Sequence, residues 1–287
     1  MKKISNKSTF KFFNYKWKKV PLWAEKTESK YIKWYLTRYK YNNKKTFKNF
    51  LSDKFLIMEA GCGLARDSKL FSELNPKSKI YAIDQSYNAI KYAKIYLKNV
   101  HNVNFIKGDI TKKILIREKF DFISCDQVLH HTPHPDKTLR NLFKNLKSGG
   151  YLNFFVCKKK NEFRDFVDDH IMNYTKNLSP SELWNFSIKI TEFGKALYEL
   201  GINNIKFKNK KYKNIQNFVH YNNFRCWYDS GIDFNLSVSS NYDWFSNNPR
   251  YNKLEVKKFM DKGLGKYKLI SIYEDNASIS CSIQKID

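Results

Sequence analysis

The chain has 287 residues, with 53 lysines and arginines against 27 acids, a formal net charge of +26. That length suits one large domain, or one domain with a sizeable elaboration, and can close a core without covalent staples. An aromatic content of 17% excludes a generally disordered chain, and no apolar run approaches the roughly 18–20 residues of a membrane span.

Residues 1–53 hold 15 basic and 3 acidic residues, almost half of the surplus. Phe13, Tyr15, Trp17 and Trp23 alternate with lysines there. We expect a helical, aromatic lid, with Tyr15 and Trp17 as its covering residues. Two other readings stay open: surface packing, or a stacking and phosphate-binding face for single-stranded nucleic acid or an anionic membrane surface. A pI near 9.7 is an electrostatic footprint of such partners. Yet the basic residues are nearly all Lys, whereas phosphate and base readers favour the bidentate fork of Arg. Asn, Ile, Phe and Tyr are abundant and share A/T-rich codons with Lys. The charge therefore reads first as compositional drift over a solvated surface. The N-terminus shows no apolar stretch like that of a secretory signal. The five cysteines, Cys62, Cys125, Cys157, Cys226 and Cys281, are scattered without a CxxC, so neither a disulfide framework nor a metal site is expected. A cytoplasmic protein with reduced thiols is the default.

Residues 54–157 alternate short apolar runs with amphipathic stretches. Lys54–Ala60 reads as a buried strand followed at once by glycines, and Lys79–Asp84 as a second strand. Asn88–Leu97 is helical, with Ile90, Ala93 and Leu97 on one face. Val103–Phe105, running to Asp109, makes a third strand and Phe120–Cys125 a fourth. Leu139, Leu142, Phe143 and Leu146 form a helical core-facing stripe, which Ser148, Gly149 and Gly150 are expected to stop. Tyr151–Cys157 is a fifth strand. Such repeats imply a parallel sheet covered on both faces. Residues 158–250 lose this rhythm, and we read them as an α-rich insert with a helix near 180–200. In 251–287, Asn252 and Glu255 resemble a capping box before Val256, Phe259 and Met260. Tyr267–Tyr273 and Ser278–Ile283 then form a hairpin through Asp275 and Asn276.

The stretch Glu59-Ala60-Gly61-Cys62-Gly63-Leu64-Ala65 follows a strand and opens a helix. Glycines there permit a tight turn and close approach of a ligand to free helix N–H groups. Asp84 ends the next strand, where an acid accepts two hydrogen bonds from ribose hydroxyls. Asp109 and Asp126 end the third and fourth strands. The carboxyl ends of parallel strands form the ligand crevice of an open sheet.

These stretches, IMEAGCGLARD (57–67), YAIDQS (81–86), FIKGDI (105–110), the run 124–155 and the final helix and hairpin, resemble the class I S-adenosylmethionine-dependent methyltransferases, in the group with small-molecule acceptors. The resemblance implies a doubly wound seven-stranded sheet with its last strand antiparallel, and S-adenosylmethionine as cofactor. It implies that Glu59, Gly61 and Gly63 line the methionine and ribose part, that Asp84 binds the ribose, and that Gln85 lies beside the adenine. Asp109 and Ile110 would contact the adenine, and Asp126 and Gln127 would border the methyl-donating end. Ala65 departs from the pattern, where a third glycine is frequent. Nicotinamide binding shares the logic but wants GxGxxG spacing, which is missing.

For the acceptor, base and many RNA or protein amino-group methylases resemble one another in an Asn/Asp-Pro-Pro-aromatic run, whereas this chain has Asp126-Gln127-Val128-Leu129-His130-His131. A small or medium-sized acceptor is expected: a sugar, a nucleotide-sugar or a lipid-like metabolite. His131 is the first candidate base and His130 the second; both can equally be packing or capping residues. The insert's aromatic segments, 220–228 and 241–245, suit an acceptor pocket or simply the insert's own core. His220 and Asp243 are the expected polar pocket residues, and Arg225 and Arg250 could pair with a carboxylate or phosphate. An RNA-modifying enzyme of the same fold, or a non-catalytic binding protein, are the alternatives. Oligomeric state is not legible.

Overall fold

Leu56–Ala60 forms strand β1 and Lys79–Asp84 strand β2, paired in parallel with Met58 beside Tyr81. β-Strand alternation sends their side chains to opposite faces. Ile57 and Ile80 pack in one buried cluster, and Met58 and Tyr81 in another. Both faces of the sheet are therefore covered, as the near-continuous apolar strands require. The structure is a computed structural model and describes residues 6–112, 114, 119–201, 227–246 and 249–286. Its chain divides into two compact units, Met1–Lys158 with Pro249–Asp287, and Lys159–Asn248.

In the first unit the remaining strands are β3 (Val103–Lys107), β4 (Phe120–Cys125), β5 (Leu146–Lys158), β6 (Arg250–Tyr251), β7 (Tyr267–Glu274) and β8 (Ser278–Lys285). The sheet runs β3-β2-β1-β4-β5-β8-β7, with the two-residue β6 beside β5. β8 lies antiparallel to β5 and to β7, which gives the expected antiparallel hairpin. Asp275 closes that hairpin by accepting from the N–H groups of Ala277 and Ser278, each at 2.7 Å. Strand order reverses between β1 and β4, and that switch point opens a crevice at the carboxyl ends.

The helices of this unit are α1 (Asn6–Lys19), α2 (Trp23–Arg38), α3 (Lys44–Leu51), α4 (Arg66–Leu74), α5 (Tyr87–Tyr96), α6 (Pro135–Lys144) and α10 (Lys253–Gly263). Ser86 caps α5 through the Ala89 N–H. The capping box of Asn252 and Glu255 starts α10. α6 begins with Pro135 and buries Leu139, Leu142 and Phe143 on the face shared with Val256 and Met260. α2 and α3 bury Tyr35, Phe47 and Leu51 against Phe71 and Phe122 on the other face. Thus α2 and α3 bury one face against the sheet.

One sequence expectation is corrected here. α6 ends at Lys144, before the glycines, and Leu146 already pairs with Phe120 as the start of β5. Ser148, Gly149 and Gly150 lie within β5 at a register shift between Phe120 and Phe122. Gly150 is needed there because a Cβ would stand 2.9 Å from the Phe120 carbonyl oxygen. The helical stripe ran into the strand because Leu146 is buried in either conformation.

The second unit contains α7 (Glu162–Thr175), α8 (Pro180–Glu199) and α9 (Phe234–Phe245). Asn161, Ser179 and Asp233 cap them in turn. Leu183, Trp184, Val238, Tyr242 and Phe245 are buried. Asn241 donates to Thr191 Oγ1 and to the Trp227 carbonyl, each at 2.9 Å. Much of the 241–245 aromatic run is therefore the unit's own core. No described helix is long and apolar enough to cross a membrane.

Candidate active site

The turn after β1 is built from backbone. The N–H groups of Gly61 and Cys62 both donate to the Ile83 carbonyl, at 2.7 and 2.9 Å. Gly61 has φ +79°, and a Cβ there would meet Val128 Cγ1 at 2.4 Å. Ala65, the N-cap of α4, holds φ 59°, a left-handed conformation that costs a non-glycine residue about 1–2 kcal/mol. The missing third glycine thus leaves the backbone path intact at an energetic cost.

Asp84 ties this turn to the next loop. Its Oδ2 accepts from the Gly63 N–H at 2.9 Å and its Oδ1 from the Ser86 N–H at 2.7 Å. Burial raises its pKa, against the pull of both backbone bonds. Gln85 is half-buried beside it. Asp109 Oδ1 accepts from Thr111 N–H and Oγ1, at 2.9 and 2.7 Å. Ile110 is buried, and its carbonyl accepts from Asn141 Nδ2 at 2.9 Å. Glu59 is buried under the start of α4 and accepts from the Ser68 N–H at 2.8 Å and from the Ser68 hydroxyl. Burial first, then neighbouring Asp67, pushes the Glu59 carboxyl well above the usual range.

Past β4 the site is made of side chains. Asp126 accepts from Arg38 Nη2 at 3.0 Å, the Tyr39 hydroxyl at 2.9 Å and Gln127 Nε2 at 2.9 Å. Arg66 Nη2 stands 3.6 Å from the same carboxylate and 2.7 Å from Asp67. Gln127 itself has φ 58°. His130 and His131 follow in a short 3₁₀ turn with ring centroids 4.0 Å apart. Burial lowers His130 to about 4, and takes His131 well below the usual imidazole range with help from His130 and Lys16. Both are therefore neutral near pH 7.

α1 spans both halves. Trp17 lies over Gly63, where an added Cβ would touch its Cζ2 at 3.1 Å. Asn14 Oδ1 accepts from the Ser86 hydroxyl and the Asn88 N–H, both at 3.0 Å, and its carbonyl accepts from Asn88 Nδ2 at 2.8 Å. Phe13 packs edge-on against His131 at 4.7 Å, and Thr9 donates to the His131 carbonyl at 3.3 Å. Lys16 is buried over the rings of Trp17 and Trp23, at 4.2 and 5.3 Å.

The fold thus gathers Glu59, Gly61, Gly63, Asp84, Gln85, Asp126, Gln127 and His131 along one edge of the first unit, with Asp109 and Ile110 following β3. Asp243 lies on α9 of the second unit, where its carbonyl accepts from Ser246 Oγ at 2.9 Å. His220 and Arg225 lie outside the described residues. Arg250 is in β6. Sequence reasoning missed Asn14, Arg38, Tyr39 and Arg66. The one signal for the arginines was their rarity: only seven stand in the chain, and two of them meet at Asp126.

A family model described as a methyltransferase domain matches residues 51–223. The malonyl-[acyl-carrier protein] O-methyltransferase of Bacillus cereus is 35% identical over 98 residues, covering 34% of this chain and 36% of that protein. The ubiquinone biosynthesis O-methyltransferase of Nitrosospira multiformis is 28% identical over 152 residues, covering 51% and 62%. The chain thus spans less than two thirds of the curated relatives it matches. The fold is similar to that of PKMT2 from Rickettsia typhi in complex with AdoHcy, with a TM-score of 0.56 at 15% identity over 83% of this chain and 49% of that one. With its glycine turn, its strand-end acids and more than half of its length matched, the chain belongs to the methyltransferase domain family, of the class I S-adenosylmethionine-dependent kind.

Proposed function

We propose that the protein is an S-adenosylmethionine-dependent methyltransferase acting on a small or medium-sized acceptor. The observation that carries this is the Asp84 carboxylate, held by the Gly63 and Ser86 N–H groups beside a turn whose two glycines leave no room for a Cβ against Val128 and Trp17. That donor set fits the cofactor: an acid for ribose hydroxyls, and bare backbone for close approach. When bound, S-adenosylmethionine supplies a methyl group already electrophilic on its sulfonium sulfur.

The chain's own residues then have to bind, align and dry the acceptor. Asp84 and the Gly61–Gly63 turn hold the nucleoside end. Trp17 and Phe13 of α1 cover the crevice and exclude water. A protic nucleophile needs a base, and neutral His130 and His131 are the candidates. The two O-methyltransferase relatives support an oxygen acceptor, with sugars, nucleotide-sugars and lipid-like metabolites within that class. The RNA reading loses ground because Trp17 is buried against Gly63, and so offers no stacking platform.

Calorimetry with S-adenosylhomocysteine tests the cofactor assignment. Micromolar binding by the parent is expected, weakened about 100-fold in Asp84→Ala, since two ribose hydrogen bonds to a charged acceptor are lost. No binding by the parent, or equal binding by the variant, would sink the proposal.

A further inference from the structure

β7 ends the sheet: β8 pairs with one side of it, and no described strand pairs with the other. Leu269 and Ile270 are 45% and 44% exposed, and Lys266, Lys268 and Glu274 are exposed as well. An open edge strand presents a row of backbone donors and acceptors, a template for another strand.

The pairing with β8 fixes which residues present those groups. The Ile286 N–H donates to the Lys266 carbonyl at 2.9 Å, and the Asp275 N–H to the Ser278 carbonyl at 3.1 Å. In an antiparallel ladder the bonding direction alternates along each strand. From Lys266, that alternation turns Lys268 towards β8, and Tyr267 and Leu269 outward. From Asp275, it turns Tyr273 and Ser271 towards β8, and Ile272 and Glu274 outward. The two ends are out of phase, and the register shift between Leu269 and Ser271 absorbs the difference, with Ile270 as the extra residue of a bulge. The outward set is therefore Tyr267, Leu269, Ile272 and Glu274.

That set is its own complement. When two copies run antiparallel with Leu269 of one opposite Ile272 of the other, Tyr267 stands opposite Glu274. Every outward residue then meets an outward residue, and no other antiparallel register does this. A bulge spoils pairing with a regular strand and so protects an edge from other chains. Against its own copy the two bulges coincide and cancel. The charges agree with the same register. Lys266 falls opposite Asp275, whose Oδ1 makes all three of its turn bonds and leaves Oδ2 to accept. A parallel pairing would instead set lysines beside lysines and acids beside acids, which is destabilising. A chain of net charge +26 repels its own copies over most of its surface. This edge, with basic residues at one end and acidic residues at the other, is suited to self-contact.

We propose that the outer edge of β7 is a self-association surface, on which two copies pair β7 to β7 about a two-fold axis and join their sheets into one. The contact is isologous, so each substitution acts twice.

Sedimentation equilibrium on the full chain tests the surface. Between about 1 and 100 μM the parent is expected to pass from monomer to dimer mass. Leu269→Lys sets a charge against Ile272 in both halves of the contact. Leu269→Pro removes an outward N–H that β8 does not use. Each is expected to raise the dissociation constant at least about 30-fold with the far-UV spectrum unchanged. Should Leu269→Pro fail to fold, Leu269→Lys decides. Cross-linking tests the register. An oxidised mixture of Leu269→Cys and Ile272→Cys chains is expected to give a disulfide-linked dimer joining positions 269 and 272 by peptide mapping, while either variant alone gives none at these positions. A parent that stays monomeric throughout overturns the proposal. So does a dimer that survives the Leu269 variants, or a 269–269 link in Leu269→Cys alone.

Discussion

Along the carboxyl edge of the sheet, the β1–β2 half and the β4–β5 half are held by different kinds of bond. Asp84 is fixed by two backbone N–H groups from the loops flanking it. Asp126 is fixed by side chains, two of them, Arg38 and Tyr39 at the end of α2, from about 90 residues earlier. Backbone bonds follow from local loop geometry and tolerate many side chains. A network of buried charges depends on every member, and losing one strands the others. The first half is thus held by the path of the backbone, and the second by side chains from distant segments.

The widest gap between the halves is expected in stability. Asp126→Ala leaves Arg38 and Arg66 short of a counter-charge and should cost about 4 kcal/mol in denaturant unfolding. Asp84→Ala loses two backbone bonds and should cost about 2 kcal/mol. Equal costs would break the contrast. Gly61→Ala sharpens it from the backbone side. Its Cβ runs into Val128 at a positive φ, for an expected loss of about 3 kcal/mol by the same measurement. Gly149→Ala shares the positive φ but meets nothing within 4 Å, so about 1 kcal/mol is expected. A similar cost at both glycines would mean that strain, and not the cradle's closeness, sets the requirement.

A separate expected effect concerns protonation. His130 folds with its pKa lowered to about 4 by burial. Its unfolded value lies near 6.5. Between these values the unfolded chain binds more protons, so stability is full above pH 6.5 and is lost as pH falls towards 4. The parent should lose about 2 kcal/mol more than His130→Gln between pH 7.5 and pH 5. A parallel pH dependence of the two would show that His130 is not held neutral. An imidazole that titrates near 6.5 by NMR would say the same.

What was legible follows the same division. The glycine turn, the strand-end positions of Asp84, Asp109 and Asp126, the α10 capping box and the hairpin turn could be found because their placement is written within a few consecutive residues. Arg38 could not be found, since nothing near it in sequence says that it will meet Asp126. The 241–245 aromatics could be read as pocket or as core, because a small unit's core and a ligand pocket draw on the same side chains. Leu146 fitted a helix and a strand equally, so the end of α6 was misjudged.

The +26 charge was a poor guide to function. In the first unit, Arg38 and Arg66 pair with Asp126 and Asp67 in a buried network that holds no lysine. By itself the sequence determined the doubly wound sheet and the glycine turn after its first strand, because strand periodicity and a glycine turn are local properties. Only the tertiary structure decided which side chains surround Asp126 and that α1 closes over Gly63. Those depend on contacts between segments far apart in the chain, where burial and geometry, not residue type, set the outcome.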